Sequence, residues 1–151
     1  MKVSKFFKNR IITNNKSGKK FRFFNEPRII HIITHLYNCE RFFTNKDLVR
    51  YLKVMMFKTA VENNVALLEV GCDFTHCHMI IKVYKGQNVF EIINNLKGKV
   101  SRSVRKRFDY LNEYPHFWAK GYYAKVYKEN ENKNLFKYVR NQAKELINES
   151  E

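Results

Sequence analysis

Runs of apolar residues along this chain switch between two periods, one typical of strands and one typical of helices. From Arg28 to Leu36 and from Val65 to Val70 the chain is rich in β-branched and apolar residues, which indicates strands. A turn at Gly71–Phe74 leads into a third predicted strand, Thr75–Val83, and a fourth is predicted over Trp118–Tyr127. These four runs predict one sheet.

Three other stretches repeat their apolar residues every three or four positions. The first begins near Lys46, behind Thr44 or Asn45 as the capping residue. The second runs from Val89 to Phe108, and the third runs from Asn134 to about residue 148. The order β-α-β-β-α-β with a terminal helix predicts an α+β, ferredoxin-like split βαβ fold with an antiparallel sheet.

The net charge of the chain indicates which class of ligand it binds. Lys and Arg number 29 against 14 Asp and Glu, which gives a net charge of +15. Such an excess attracts a polyanion, and nucleic acid is a better candidate than the alternative, an anionic membrane surface. No apolar run reaches the roughly 20 residues that span a bilayer. We therefore expect a nucleic-acid partner and no membrane association.

Composition also suggests how the chain is divided. Residues 1–22 carry basic but no acidic side chains, so we assign residues 1–25 to a basic N-terminal arm and residues 26–151 to a single domain. The alternative for the arm is a solvated tail. Three cysteines are too few and too odd a set for a disulfide framework, which favours a reduced, cytoplasmic protein.

Two histidines of the third predicted strand share one face. Residues two apart in a strand project to the same side, so His76 and His78 lie together while Cys77 points to the apolar side. Two neighbouring imidazoles can bind one divalent cation. The alternative is a pair of polar residues on an exposed strand face.

The last predicted helix carries a second polar pair. Tyr138 and Gln142 lie one turn apart, roughly 100° from the apolar stripe that starts with Leu135 and Val139. A phenol that attacks a phosphodiester needs a metal ion to offset the developing charge. The histidine pair, the phenol and a neutral amide oxygen would together form a complete site for that chemistry.

These two pairs are similar to known signatures. His76-x-His78, with a bulky residue between the histidines, resembles the HUH signature of single-strand endonucleases. Tyr138-x-x-x-Gln142 resembles the single-tyrosine signature of the IS200/IS605-type transposases.

Two further stretches agree in order and spacing. Residues 95–105 resemble that family's lysine-glycine helix, and residues 117–123 resemble its tryptophan-glycine-aromatic strand, so the likeness extends over about residues 28–145. The chain departs from the family at residues 124–127, where a threonine-valine-glycine turn is usual. It also departs at residues 128–134, which lack the glycines that act as a hinge before the tyrosine helix.

The resemblance implies a set of functional properties. It implies a ferredoxin-like core, Mg²⁺ or Mn²⁺ bound by His76, His78 and Gln142, and a 5′-phosphotyrosine intermediate at Tyr138. It also implies a homodimer that acts on single-stranded transposon ends folded into hairpins. The protein would be nucleoid-associated, in a prokaryote or a virus.

Other residues are assigned by charge and position. The residues expected to contact DNA phosphates are Lys97, Lys99, Arg102 and Arg105. Asp73 is a candidate partner that orients a histidine, with a turn-forming role as the alternative. His31 and His35 share a face of the first strand and are interpreted as strand histidines with ordinary hydrogen bonds, with a place on the same surface as His76 and His78 as the alternative.

Three competing interpretations are left open. A rolling-circle replication initiator uses the same chemistry, but such enzymes usually carry a lysine three or four residues after the tyrosine, where this chain has Asn141 and Gln142. A non-catalytic, basic nucleic-acid-binding domain is the second alternative. The third, structural zinc bound by cysteines and histidines around Cys72 and Cys77, is disfavoured because the spacing fits no common zinc pattern.

Overall fold

The described part of the chain is built on four antiparallel strands and three α-helices, with three short 3₁₀ turns between them. The computed structural model describes residues 24–130 and 134–149, with side chains as far as Gln142 in the last helix. The elements follow in the order β1 (Arg28–His35), α1 (Lys46–Glu62), β2 (Ala66–Cys72), β3 (His76–Val83), α2 (Val89–Arg107), β4 (Tyr123–Lys128) and α3 (Leu135–Glu149). The sheet order is β2-β3-β1-β4, and all neighbouring strands are antiparallel. The predicted ferredoxin-like α+β fold is confirmed.

Two strand boundaries differ from those predicted. β2 continues through Gly71 and Cys72, which were expected to form a turn, because both residues pair with β3. β4 begins only at Tyr123, five residues later than predicted, and Trp118 forms an isolated bridge instead. Gly121 between them has a φ of 83°, which an extended strand does not allow.

Two further predictions concern the basic N-terminal arm and the lack of a membrane-spanning segment. The basic arm assigned to residues 1–25 lies outside the described residues except for its last two, so it stays a prediction. Among the described helices, none is long and apolar enough to cross a membrane.

One face of the sheet packs against α1 and α2 and forms the main core. Alternate positions of the two central strands point to this side, as the period of two predicts. These strand residues include Ile30, Ile32, Cys77, Met79, Ile81 and Val83. The helices contribute Leu48, Leu52, Met56, Ile93, Leu96, Val100 and Val104. Each such buried aliphatic side chain contributes about 1.5–3 kcal/mol of transfer free energy.

The opposite face of the sheet is covered by α3. Leu135 and Val139, the first two positions of the predicted apolar stripe, are buried against Ile29, Ile80 and Tyr127. The strand face that carries the histidines is therefore not open to solvent along its length.

A glycine in β2 sets how closely α3 can approach the sheet. A Cβ added at Gly71 would lie 2.0 Å from the carbonyl oxygen of Val139 and 3.3 Å from Cβ of Gln142. Nearby, the Arg140 guanidinium lies 3.3 Å from a carboxylate oxygen of Glu69 in β2. A residue without a side chain is required at position 71 for α3 to dock in this place.

We expect Gly71→Ala to push α3 away from the sheet. The clash is with backbone atoms, which cannot rotate away, so the free energy of unfolding should fall by about 1–3 kcal/mol. Amide hydrogen exchange in α3 should also become faster. Gly98→Ala is the matched control, because a Cβ at Gly98 in α2 meets nothing within 4 Å; it should be neutral or stabilising by up to about 1 kcal/mol. Unchanged stability and unchanged exchange in Gly71→Ala would show that α3 does not pack there.

Candidate active site

Four imidazoles lie together on the sheet face beneath α3. They belong to His31 and His35 of β1 and to His76 and His78 of β3. The ring centroids are 4.8 Å apart for His76 and His78, 5.1 Å for His31 and His78, and 5.4 Å for His35 and His76. His76 and His78 lie on the same face of the sheet, as predicted. The two histidines of β1, interpreted from sequence as ordinary strand residues, belong to the same cluster.

His78 lies at the centre of this cluster and is 1% exposed. Its Nδ1 lies 2.9 Å from Nε2 of His31. Its buried Nε2 has no hydrogen-bond partner within residues 24–130 and 134–149. Burial, followed by the neighbouring imidazoles, holds the pKa of His78 well below its ordinary value. Burial also lowers the pKa of His31 to about 3, so both rings are neutral at pH 7.

His76 is held by the turn that precedes β3. Its Nδ1 lies 2.7 Å from Oδ1 of Asp73 and 3.2 Å from the hydroxyl of Thr75. The same Asp73 oxygen accepts hydrogen bonds from the backbone N–H groups of Thr75 and His76. Burial alone would raise the pKa of Asp73, but the contact with His76 and these backbone donors lower it overall. Asp73 therefore forms the turn and orients the ring, which leaves Nε2 of His76 available to a ligand.

His35 borders the cluster on the side of β4. Its ring lies 5.5 Å from that of Tyr123, and its Nε2 is buried without a hydrogen-bond partner among the described residues. Burial, and then the adjacent His76, lower the pKa of His35 to about 4. His35 thus adds a further neutral imidazole at the edge of the cluster, although ordinary hydrogen bonding was the favoured interpretation of this residue.

α3 places Tyr138 over the histidines. The Tyr138 ring centroid lies 5.5 Å from that of His78 and 5.9 Å from that of His31, edge-on to both rings. Gln142 is buried above Gly71, the residue of β2 that pairs with His78. The Gln142 amide nitrogen donates to the backbone carbonyl of Tyr138 at 3.4 Å, which leaves the amide oxygen for another partner.

These donors fit a divalent cation. Two imidazole nitrogens and one amide oxygen are ligand types that Mn²⁺ accepts, and water or phosphate oxygens can complete the coordination of either Mn²⁺ or Mg²⁺. The buried Nε2 of His78, which lacks a partner in the described part of the chain, is otherwise an uncompensated polar atom. Among the described residues, no group of three or more His, Cys, Asp or Glu side chains is placed to hold a metal ion.

The cysteines lie elsewhere. Cys77 is buried in the main core on the opposite face of the sheet, with its Sγ 3.5 Å from that of Cys72. Cys39 is exposed in a short turn after β1. The histidines of β3 and the neighbouring Cys77 therefore project to opposite faces of the sheet, which does not suit a structural zinc site.

The four basic residues predicted to contact phosphate lie along α2. Nζ of Lys97 donates to two backbone carbonyls of the segment before β4, at 2.7 and 3.1 Å, and burial lowers the pKa of Lys97 to about 8. Arg105 donates to two further carbonyls of the same segment. Lys99 lies 3.3 Å from the Asn63 side chain, and Arg102 is exposed. Lys97 and Arg105 thus hold the loop before β4 and also line an open groove of about 590 Å³ beside it.

The chain is similar in sequence to known transposases. Residues 27–142 match the model of a family described as IS200-like transposases. Over 87 residues the chain is 31% identical to the transposase for insertion sequence element IS200 of Salmonella typhimurium and to that of Salmonella typhi. The match covers 54% of this chain and 55% of each relative, so the chain spans about half the length of the curated relatives it matches.

Two solved structures share the fold. A candidate transposase from Deinococcus radiodurans R1 superposes with a TM-score of 0.63 at 16% identity, covering 79% of this chain and 93% of that one. A REP-associated tyrosine transposase bound to a REP hairpin superposes with a TM-score of 0.53 at 10% identity, covering 78% and 66%. At these identities the likeness concerns the fold.

Proposed function

The chain belongs to the IS200-like transposase family, and from this premise we propose that it cuts and rejoins single-stranded DNA at transposon ends through a covalent bond to Tyr138. The observation that carries the proposal is the position of the Tyr138 ring, 5.5 Å from a buried imidazole whose Nε2 lacks a partner among the described residues. A phenol beside two histidines suited to metal binding supplies a nucleophile and a site for a charge-offsetting cation, which together support phosphodiester cleavage.

In the proposed cleavage step the hydroxyl oxygen of Tyr138 attacks the phosphorus of one phosphodiester. The P–O3′ bond breaks as the O–P bond to tyrosine forms, so one DNA fragment keeps a 5′-phosphate on the tyrosine and the other ends in a 3′-hydroxyl. The phenol loses its proton to solvent, and the departing 3′-oxygen gains one. Attack of a different 3′-hydroxyl on the phosphotyrosine then rejoins DNA and restores the phenol.

Each residue of the site has a distinct part in this proposal. His76, His78 and the Gln142 amide oxygen would hold Mg²⁺ or Mn²⁺, which when bound offsets negative charge on the phosphate. Asp73 keeps the ring of His76 in one orientation. The packing of α3 on the sheet keeps Tyr138 above the histidines.

We also propose the form of the substrate and of the assembly. The net charge of +15 suits a polyanion, and the structural neighbour described as bound to a REP hairpin makes hairpin-forming single strands the first substrates to test. A homodimer, in which either subunit could supply the tyrosine helix, is proposed from the family resemblance.

Arg102 is the cleanest of the four basic residues for testing DNA contact. It is exposed on α2, whereas Lys97 and Arg105 also hold the loop before β4. We expect Arg102→Ala to weaken single-stranded DNA binding about equally for all sequences and to reduce the slope of log affinity against log salt by about 0.7. Lys58→Ala, at an exposed position of α1, is the control. A slope in Arg102→Ala equal to that of the unaltered protein would exclude Arg102 from phosphate contact.

The proposed function is tested by incubating the full chain with Mg²⁺ and labelled single-stranded oligonucleotides, some of them hairpin-forming. We expect a covalent protein–DNA adduct on a denaturing gel, lost with a chelator and absent for a fully paired duplex. Tight binding without an adduct on any single strand or hairpin would instead support a non-catalytic nucleic-acid-binding domain.

A further inference from the structure

Each of the two histidines among the candidate metal ligands has a second ring nitrogen with a defined partner. For His76 that partner is the carboxylate of Asp73. For His78 it is another histidine, because Nδ1 of His78 lies 2.9 Å from Nε2 of His31. His31 is fully buried on β1, and its ring is stacked on that of His78 with an angle of 24° between the planes.

A short contact between two neutral imidazoles requires one hydrogen shared between the facing nitrogens. Either His78 donates its Nδ1–H to His31, or His31 donates its Nε2–H to His78. In the first arrangement Nε2 of His78 keeps its lone pair and can bind a cation. In the second, Nε2 of His78 carries the hydrogen and can act only as a donor.

We propose that His31 is a positioning residue for metal binding, which accepts the Nδ1–H of His78 and so keeps Nε2 of His78 as a ligand. The inference rests on the proposed function, in which His78 binds Mg²⁺ or Mn²⁺. In that arrangement the nitrogen left free to bind a cation is the buried Nε2 of His78, which has no hydrogen-bond partner among the described residues. The two ligands are thus oriented in different ways, one by a carboxylate and one by a neutral ring.

The proposal predicts a tautomer that can be measured without any substitution. We would label the histidines of the full chain with ¹⁵N and record two-bond ¹H–¹⁵N spectra, with the His78 signals assigned by their loss in a His78→Gln variant. We expect His78 to be the Nδ1–H tautomer, both without metal and in Mg²⁺. An Nε2–H tautomer in both conditions would overturn the proposal.

Two variants test the consequence for metal affinity. His31→Gln keeps an amide oxygen where Nε2 of His31 stands, whereas His31→Phe keeps an aromatic ring and accepts no hydrogen bond. By Mn²⁺ titration followed by electron paramagnetic resonance, we expect His31→Phe to bind about 10–100-fold more weakly, and His31→Gln to recover most of the loss. Tyr123→Phe, which alters a ring at the edge of the histidine cluster beside His35, should leave the affinity unchanged.

These outcomes separate the inference from the proposed function. Equal Mn²⁺ affinity in a folded His31→Phe variant and the unaltered protein would overturn the positioning role, even if DNA cleavage by the unaltered protein is normal. Absence of Mn²⁺ binding in the unaltered protein would contradict the metal part of the proposed function. In that case the tautomer of His78 alone would decide whether His31 accepts the hydrogen bond.

Discussion

Tyr138→Phe is expected to abolish the covalent protein–DNA adduct and to lower single-strand cleavage by a factor on the order of 10⁴ or more. The substitution removes the attacking oxygen and leaves the ring that contacts His78 and His31. Because the ring stays in place, the affinity for single-stranded DNA should stay close to that of the unaltered protein. The adduct and the cleaved strand can be measured in one assay on denaturing gels.

The control for this prediction is Tyr123→Phe. Tyr123 also borders the histidines, with its ring 5.5 Å from that of His35, but it lies on β4 and not on α3. We expect the Tyr123→Phe variant to form the adduct at nearly the normal rate. Tyr127 is a poor alternative nucleophile, because burial raises its pKa. A persistent adduct in Tyr138→Phe would show that another residue attacks the phosphate.

His76→Ala is expected to remove most of the affinity for Mg²⁺ or Mn²⁺, by about 100-fold or more, because loss of a ligand should exceed the roughly 10–100-fold effect of losing its orienting partner. Cleavage should fall in parallel at fixed metal concentration, since the phosphate charge is then no longer offset. His76 is preferable to His78 for this test because its side chain is 15% exposed, so its removal disturbs packing less. Calorimetric titration of the metal gives the affinity.

His116→Ala is the matched control for the metal experiment. His116 is exposed in the loop before β4, and its ring contacts Tyr37 and not the histidine cluster. Its loss should change neither metal affinity nor cleavage. If His76→Ala binds the cation as tightly as the unaltered protein does, His76 is not a ligand.

The elements of the fold could be predicted where the signals are local. The switch from a period of two to a period near 3.6 located the strands and helices, and Asn45 caps α1 by accepting hydrogen bonds from two backbone N–H groups of the first turn. Strand ends were less accurate because pairing decides them. Gly71 looks like a turn residue in the sequence, yet it pairs with His78 of β3 and also makes room for α3.

The same distinction between local and non-local signals applies to the candidate site. The shared face of His76 and His78 follows from their spacing, as does the one-turn separation of Tyr138 and Gln142. The contact between His31 and His78 depends on the register of β1 against β3, which no spacing within one strand reveals. Lys97 was assigned to DNA by its charge, whereas the carbonyls that hold it belong to a loop more than twenty residues away.

The most direct test of the central proposal is to digest the purified protein–DNA adduct and to locate the attached nucleotide by tandem mass spectrometry. The account predicts that the nucleotide is joined through its 5′-phosphate to the oxygen of Tyr138, on the peptide that contains Val139 and Arg140. Attachment to any other residue, or through a 3′-phosphate, would contradict it.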